Sequence, residues 1–236
     1  MQSFVYDALP GRVVFGVGSL DTIADEVARL GVAKALVLAT PPQRAQAEDV
    51  ARRLGAAAAG VFAEAEMHVP IEVAARARDE ARRLGADACV AVGGGSTTGL
   101  GKAIALTYGL PIIAVPTTFA GSEMTPIWGL TEDGIKKTGR DPKVLPKTVI
   151  YDPTLTLTLP AAIAGPSGMN AIAHCVEALY AENANPIISM MAEEGIRALA
   201  RSLPEVIAQP ASLEARGDAQ YGAWLAGAAL GSVGMA

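Results

Sequence analysis

Three stretches of the sequence hold residues whose types and spacing are suited to chemistry, and the first is a run of glycines and hydroxyl residues, Gly93–Thr98. Glycines let a backbone approach a pyrophosphate closely, and the N–H groups at the start of a helix point at its negative charge. The spacing differs from the G-x-G-x-x-G fingerprint, and a glycine-rich turn without a ligand is the alternative. The predicted phosphate-binding residues are Gly93, Gly94, Gly95 and Ser96.

The second stretch, Val115–Glu123, follows the next apolar segment and contains three hydroxyl residues, Thr117, Thr118 and Ser122. Because the carboxyl ends of parallel strands meet at one edge of a sheet, we expect this loop at the same edge as the glycine run. Its hydroxyls are suited to the ribose or the carboxamide of a dinucleotide. An ordinary surface loop is the alternative.

The third stretch, Ser167–Glu177, places Asn170 and His174 four residues apart and therefore on one face of a predicted helix. A histidine in this position is a candidate catalytic group. The alternative is a core histidine whose ring nitrogens are satisfied within an apolar helix.

The elements that would position these stretches alternate from about residue 12 to residue 150 as short apolar runs and segments of helical period. The predicted strands are Arg12–Phe15, Ala35–Ala39, Ala88–Val92, Pro111–Val115 and Thr148–Tyr151, with a weaker one near Gly60–Phe62. The predicted helices are Leu20–Leu30, Arg44–Leu54, Ile71–Leu84 and Gly99–Tyr108. Continuously apolar strands indicate a sheet covered on both faces. The pattern predicts a Rossmann-like α/β fold with a doubly wound, mostly parallel sheet.

After about residue 153 the strand pattern stops, and residues 168–182, 186–203 and 212–236 have helical patterns. We therefore predict a dinucleotide-binding α/β domain over residues 1–155 and the first part of an all-helical domain over residues 156–236. The uncharged, glycine-rich segment from Gln220 to Ala236 is typical of a closely packed helix. We expect a longer natural chain whose further helices cover it; a terminal helix docked into a core is the alternative.

The composition excludes several classes of protein. The 236 residues have a formal net charge of −5 and no lysine or arginine run, which argues against nucleic acid or an anionic membrane as a partner. With 51% hydrophobic and 18% charged residues, the chain is not typical of disorder. Residues 1–20 lack an apolar signal segment, and Cys89 and Cys175 both lie in apolar stretches. We expect a cytoplasmic protein without a disulfide framework or a cysteine zinc site.

Taken together and in this order, the three stretches resemble the iron-containing alcohol dehydrogenase family, and within it the sequence is most similar to the maleylacetate reductases. The similarity is carried by Phe4–Tyr6, Leu9–Gly16, Ala39–Gln43, Val115–Pro126, Lys136–Pro142 and Ser167–His174. The resemblance implies a nucleotide-binding domain followed by an all-helical domain, and a homodimer. It also implies a reductase that uses NADH or NADPH to convert maleylacetate to 3-oxoadipate in aromatic compound catabolism.

The resemblance further implies roles for single residues. The glycine run would hold the cofactor pyrophosphate, and the predicted cofactor contacts are Thr40, Thr117, Thr118 and Ser122. An aspartate and a histidine of the third stretch bind metal in the family, but Asn170 stands at the aspartate position here. Because a neutral amide is a weak metal ligand beside a carboxylate, we expect no metal requirement.

The implied substrate is a small dicarboxylate, and Lys136, Lys137 and Arg140 form a basic cluster that is suited to neutralise it. The alternative for the cluster is an exposed turn. His174 is the candidate proton donor or enolate-stabilising donor. NADH and NADPH are not distinguished, because the second apolar run ends at Thr40 without an acidic residue or an adjacent arginine.

Two other functions remain open. One is a metal-dependent alcohol or glycerol dehydrogenase of the same superfamily, in which a divalent cation polarises the substrate oxygen; Asn170 argues against it. The other is a non-catalytic nucleotide-binding module.

Overall fold

A computed structural model describes Phe4 and residues 6–234. The strands are β1 (Arg12–Phe15), β2 (Ala35–Leu38), β3 (Ala58–Phe62), β4 (Ala88–Gly93), β5 (Ile112–Pro116), β6 (Ile127–Glu132), β7 (Ile135–Arg140) and β8 (Thr148–Tyr151). The helices are α1 (Ile23–Arg29), α2 (Arg44–Leu54), α3 (Ile71–Leu84), α4 (Gly95–Tyr108), α5 (Ala161–Tyr180), α6 (Pro186–Ala208) and α7 (Leu213–Ser232). Six strands form a parallel sheet in the order β1-β8-β5-β4-β2-β3, and β6 and β7 form an antiparallel hairpin. The predicted parallel α/β sheet followed by an all-helical region is confirmed.

The apolar runs of the sheet are explained by burial on both faces. Every residue of β2 and of β4 is buried. Helix α3 presents one apolar face, with Val73 and Ala77 packed in the same cluster as Leu36 and Leu38 of β2. A parallel strand covered by helices on both sides has no solvent face, so its sequence cannot alternate.

By their contacts the residues form two compact units. The α/β unit comprises Gly11–Pro116 and Pro126–Asp152. The helical unit comprises the described parts of Met1–Pro10 and Pro153–Ala236, together with Thr117–Thr125. The loop that follows β5 therefore packs with the helices. The domain boundaries expected from the sequence stay a prediction.

In the helical unit, small residues let helices pack closely. A Cβ on Gly222 of α7 would lie only 3.1 Å from the carbonyl oxygen of Gly195 on α6. Arg216 of α7 is 1% exposed; its Nε donates to the Pro210 carbonyl at 2.6 Å and its NH1 to the Thr156 carbonyl. Burial lowers the pKa of Arg216. The guanidinium thus ties the segments before α5 and before α7 to α7 itself.

The structure differs from the sequence prediction in three elements. The hairpin of β6 and β7 was not predicted, because its strands are partly exposed and carry no continuous apolar run. Helix α4 begins at Gly95 instead of Gly99, since glycine and threonine are weak helix formers and conceal the first turn. Helix α5 begins at Ala161, before Pro166, a residue that usually interrupts a helix.

Both cysteines are free and buried. Burial raises the pKa of Cys89 to about 12 and that of Cys175 to about 11. The two thiols therefore stay protonated and weakly reactive at neutral pH.

Among the described residues, no helix combines the length and the hydropathy needed to cross a membrane. The cytoplasmic location stays a prediction.

Candidate functional site

The turn between β4 and α4 is built around Gly93, whose φ is 152°. A Cβ at this position would lie 2.4 Å from Thr97 Oγ1 and 2.9 Å from Gln43 Oε1. Both distances are shorter than side-chain carbons tolerate, so glycine is required here. The turn brings a backbone segment without a side chain and two side-chain oxygens together at the carboxyl edge of the sheet. Open α/β sheets bind ligands at this edge.

The first turn of α4 offers backbone and side-chain donors that are suited to bind an anion. Gly94, which precedes the first turn, forms no side-chain cap hydrogen bond. The N–H groups in the first turn of a helix point away from its start and have no partner within the helix. Thr97 is fully buried, and its Oγ1 has no hydrogen-bond partner among the described residues. A buried hydroxyl without a partner is unfavourable, and a phosphate oxygen would satisfy it. These features fit a dinucleotide pyrophosphate; the individual roles of the four predicted residues stay predictions.

A second side chain reaches the glycine turn from the neighbouring strand. Thr40 follows β2, which is adjacent to β4 in the sheet. The Thr40 Oγ1 donates to Gln43 Oε1 at 2.9 Å, and that oxygen is the one that approaches Gly93. Sequence reasoning selected Thr40, and it included the Thr97 hydroxyl in the glycine run. It missed Gln43, which is marked by no local pattern.

The loop after β5 is held by the core of the helical unit. Phe119 is fully buried in that core, and its backbone N–H donates to Ser167 Oγ at 3.1 Å. The loop also touches α7, because a Cβ on Gly227 would lie 2.1 Å from the Gly121 carbonyl oxygen. The predicted cofactor contacts in this loop are Thr117, which is buried, and Thr118 and Ser122, which are half-buried. Their roles stay predictions.

His174 lies on α5 between two polar neighbours, one turn away on either side. Asn170 Nδ2 donates to His174 Nε2 at 2.9 Å, which leaves the proton of the neutral ring on Nδ1. That nitrogen is 3.9 Å from Glu177 Oε2. Burial lowers the pKa of His174, and the charge of Glu177 opposes this shift only in part. At neutral pH the ring is therefore neutral and offers one N–H donor. Sequence reasoning missed Glu177, although its i+3 spacing from the histidine was visible.

The residues around His174 do not fit the iron ion that the family resemblance implies. Asn170 supplies a neutral amide, and its hydrogen bond occupies the Nε2 lone pair that a metal would need. Over Phe4 and residues 6–234, no three His, Cys, Asp or Glu side chains gather in a group that could hold a metal ion. Protein metal sites usually provide three or more such ligands.

The three predicted cations lie on β7 of the hairpin, and all three are exposed. Side chains alternate between the two faces of a strand, so Lys136 and Arg140 share one face and Lys137 lies on the other. Lys137 Nζ forms an ion pair with Glu132 Oε2 at 2.5 Å. The structure thus groups Lys136 with Arg140 and separates Lys137 from them.

The hairpin is anchored to the α/β unit at two points. The buried Lys102 of α4, which is 1% exposed, donates from Nζ to the Ile127 carbonyl at 2.7 Å. At the other end of β6, Thr131 Oγ1 donates to the His68 carbonyl at 2.8 Å. The hairpin is therefore connected directly to the helix that starts at the glycine turn. Lys102 was not singled out from the sequence.

Comparison with known proteins agrees with this fold and these motifs. The model of the family described as iron-containing alcohol dehydrogenase matches residues 10–153, and the model of the C-terminal part of the Fe-containing alcohol dehydrogenase family matches residues 164–236. The chain therefore belongs to the iron-containing alcohol dehydrogenase family.

Within that family, this chain is similar to maleylacetate reductases. It is 60% identical to the maleylacetate reductase of Burkholderia cepacia, with 100% of this chain and 67% of the relative covered. This chain also matches the crystal structure of maleylacetate reductase from Agrobacterium tumefaciens, with 57% sequence identity and a TM-score of 0.97. The match covers 100% of this chain and 67% of that one.

A more distant neighbour is the sulfoacetaldehyde reductase of Bifidobacterium kashiwanohense, whose crystal structure is a complex with NAD⁺. It is 25% identical with a TM-score of 0.90, and 97% of this chain and 67% of that one are covered. The chain thus spans about two thirds of the length of these relatives.

Proposed function

We propose that this protein is a maleylacetate reductase, an oxidoreductase that uses NADH or NADPH to convert maleylacetate to 3-oxoadipate. The observation that carries the proposal is the 60% identity to a maleylacetate reductase over the whole of this chain. Asn170 adds support, because it removes the carboxylate that the family resemblance assigns to a metal ligand. A cytoplasmic homodimer that acts in aromatic compound catabolism is part of the same proposal and rests on the resemblance alone.

The reaction saturates a carbon–carbon double bond that is conjugated to a ketone. The reduced nicotinamide supplies the hydride, which adds to the alkene carbon β to the ketone. The π electrons of the alkene shift to form a double bond between the α carbon and the ketone carbon, and those of the ketone move onto its oxygen to give an enolate of the substrate. A proton then adds to the α carbon. The protein must orient the partners, stabilise the enolate and deliver that proton.

The residues of the glycine turn are suited to hold the cofactor. The open backbone at Gly93–Ser96 and the buried hydroxyl of Thr97 offer donors for the pyrophosphate. The NAD⁺ complex of the Bifidobacterium reductase supports a nicotinamide dinucleotide as the ligand class. In this proposal Thr40, Thr117, Thr118 and Ser122 contribute further contacts to it.

The residues of α5 and the hairpin are suited to act on the substrate. A neutral imidazole can stabilise an enolate through its N–H without carrying a charge, and His174 has that form with Nδ1 as the donor. Lys136 and Arg140 lie on one face of β7 and are suited to bind carboxylates through charge-assisted hydrogen bonds. No metal enters the proposed reaction.

The proposal is tested by following NADH or NADPH absorbance with maleylacetate before and after exhaustive chelation. We expect turnover with maleylacetate, no turnover with simple alcohols, and the same rate after chelation. A rate that disappears on chelation and returns with iron or zinc would instead identify a metal-dependent dehydrogenase. Cofactor binding without turnover of either substrate class would identify a nucleotide-binding module.

A further inference from the structure

One face of helix α7 carries three small residues at intervals of four, Ala223, Gly227 and Gly231. Residues four apart lie one above the other on a helix, and all three of these are buried. No side chain on this α7 face is larger than a methyl group, so another segment of backbone can approach the helix closely.

The segment that lies against the α7 face is the loop after β5. A Cβ on Gly227 would overlap with the carbonyl oxygen of Gly121, and a Cβ on Gly121 would lie 3.0 Å from the Ala223 carbonyl oxygen. A Cβ on Gly231 would lie 2.8 Å from the Met124 carbonyl oxygen. Backbone atoms cannot rotate out of the way as the end of a flexible side chain can. A methyl group added to the α7 face would therefore displace the loop.

Hydrogen bonds within the loop make its second half a rigid turn. The Met124 N–H donates to the Gly121 carbonyl at 3.1 Å. Thr125 donates to the Ser122 carbonyl from its N–H at 3.2 Å and from its Oγ1 at 3.1 Å. Gly121 has a φ of 76°, a conformation that favours glycine. Because closely packed interiors transmit displacements, a shift of Gly121 or Met124 would carry Ser122 with it.

We propose that Gly227 and Gly231 are positioning residues, which set the affinity for the nicotinamide dinucleotide by letting the loop after β5 lie against α7. The loop carries three hydroxyl residues that the proposed function assigns to the cofactor: Thr117, Thr118 and Ser122. The inference therefore rests on the proposed function. A small displacement of a contact group is enough to weaken binding, even when the substituted residue lies away from the ligand.

The test compares two glycine-to-alanine substitutions on α7 that face different neighbours. Gly227→Ala adds a methyl group against the loop. Gly222→Ala is the matched control, because its Cβ would lie 2.6 Å from Leu199 Cγ and 3.1 Å from the Gly195 carbonyl oxygen, both on α6. The two substitutions raise helix propensity equally, and both disturb packing in the helical unit. Only the first disturbs the loop.

Dissociation constants for NADH and NADPH are measured by cofactor fluorescence on the wild type and both variants, and Tm is measured by circular dichroism. We expect both variants to have a lower Tm than the wild type. Gly227→Ala should weaken cofactor binding about tenfold or more, and Gly222→Ala should change it less than about twofold. Unchanged affinity in a folded Gly227→Ala variant, or equal weakening in the two variants, would overturn the proposal.

Gly231→Ala is the milder substitution on the α7 face and is measured in parallel, so that the test does not depend on the folding of Gly227→Ala. It should weaken cofactor binding in the same direction by a smaller factor. If neither loop-facing variant folds while Gly222→Ala does, the two glycines serve folding alone and the proposal is overturned. If the wild type binds neither NADH nor NADPH, the proposed function fails, and this inference fails with it.

Discussion

At the scale of single residues, His174 is defined by side chains one turn away on the same helix. Asn170 donates to Nε2, and Glu177 lies near Nδ1. An aspartate at position 170 could only accept a hydrogen bond when ionised, and would favour a charged or metal-bound imidazole. The asparagine favours a neutral ring with a defined tautomer. A single substitution in the sequence thus changes the chemistry that the histidine can support.

The pH dependence of turnover follows from the lowered pKa of His174. Because burial places this pKa below the ordinary value of 6.5, the ring is neutral at pH 7 and above. We expect kcat with maleylacetate to be constant above about pH 6.5 and to fall as the pH decreases through the folded-state pKa. The His174→Gln variant keeps a polar side chain that does not titrate. Its kcat should be at least about tenfold lower, and the decrease in kcat at low pH that protonation of His174 causes should be absent.

The same shift has a consequence for stability that does not depend on turnover. The unfolded chain binds a proton at His174 with an ordinary pKa, and the folded chain binds it less tightly. The free energy of unfolding should therefore decrease as the pH falls below about 6.5. Urea unfolding at pH 7.5 and pH 5.5 should reveal a larger loss for the wild type than for His174→Gln. Equal losses would contradict the lowered pKa and the neutral ring.

At the scale of elements, the hairpin decides which of the three cations can act together. Residues of β7 alternate between its faces, and Lys137 lies on the face of Glu132, with which it forms an ion pair. Lys136 and Arg140 lie on the opposite face of the strand. Of the three cations, only Lys136 and Arg140 share a face, so the proposed binding of one dicarboxylate assigns it to these two. The hydrogen bonds from Lys102 and to His68 hold the strand that supports them.

Charge removal on β7 should separate the two faces. We expect Lys136→Gln and Arg140→Gln each to raise the KM for maleylacetate about tenfold, since a charge-assisted hydrogen bond contributes roughly 1.5–3 kcal/mol. Lys137→Gln is the matched control and should change KM much less. Steady-state kinetics and a cofactor titration are measured on all three variants. Weaker cofactor binding in place of a raised KM would assign the cluster to the nucleotide phosphates.

At the scale of the whole molecule, the helical unit has an exposed apolar stripe on α5. Met169, Val176 and Tyr180 are 59%, 45% and 66% exposed. Their spacings of seven and four residues place them along one face of the helix. Ile187 and Met190 near the start of α6 are exposed as well. Contiguous exposed apolar surface usually marks an interaction site or a tendency to aggregate.

We expect the 236-residue chain to bind a hydrophobic dye and to self-associate through this stripe. The double variant Val176→Lys/Tyr180→Lys should reduce dye fluorescence several-fold and shift sedimentation toward the monomer. Ile135→Lys is the control, because Ile135 is 66% exposed but lies on the hairpin. A wild-type chain that is monodisperse and binds no dye would contradict the prediction. So would an equal effect of the control variant.

Much of the fold was readable in the sequence. The buried strands β2 and β4 appear as continuous apolar runs because helices cover both of their faces. The glycine run and the shared face of Asn170 and His174 were visible because each depends only on residues close together in the sequence. The sequence by itself therefore determined the strands of the parallel sheet, the helical second part and the residues at the centre of two candidate sites.

Only the tertiary structure decided which distant residues meet. It placed Gln43 against Gly93, joined Thr131 of the hairpin to the His68 carbonyl, and packed Phe119 of the loop after β5 into the helical core. A local pattern records whether a residue is buried but not the residues that bury it. The pairing of segments far apart in the chain depends on how all helices and strands pack together, and no stretch of sequence contains that information alone.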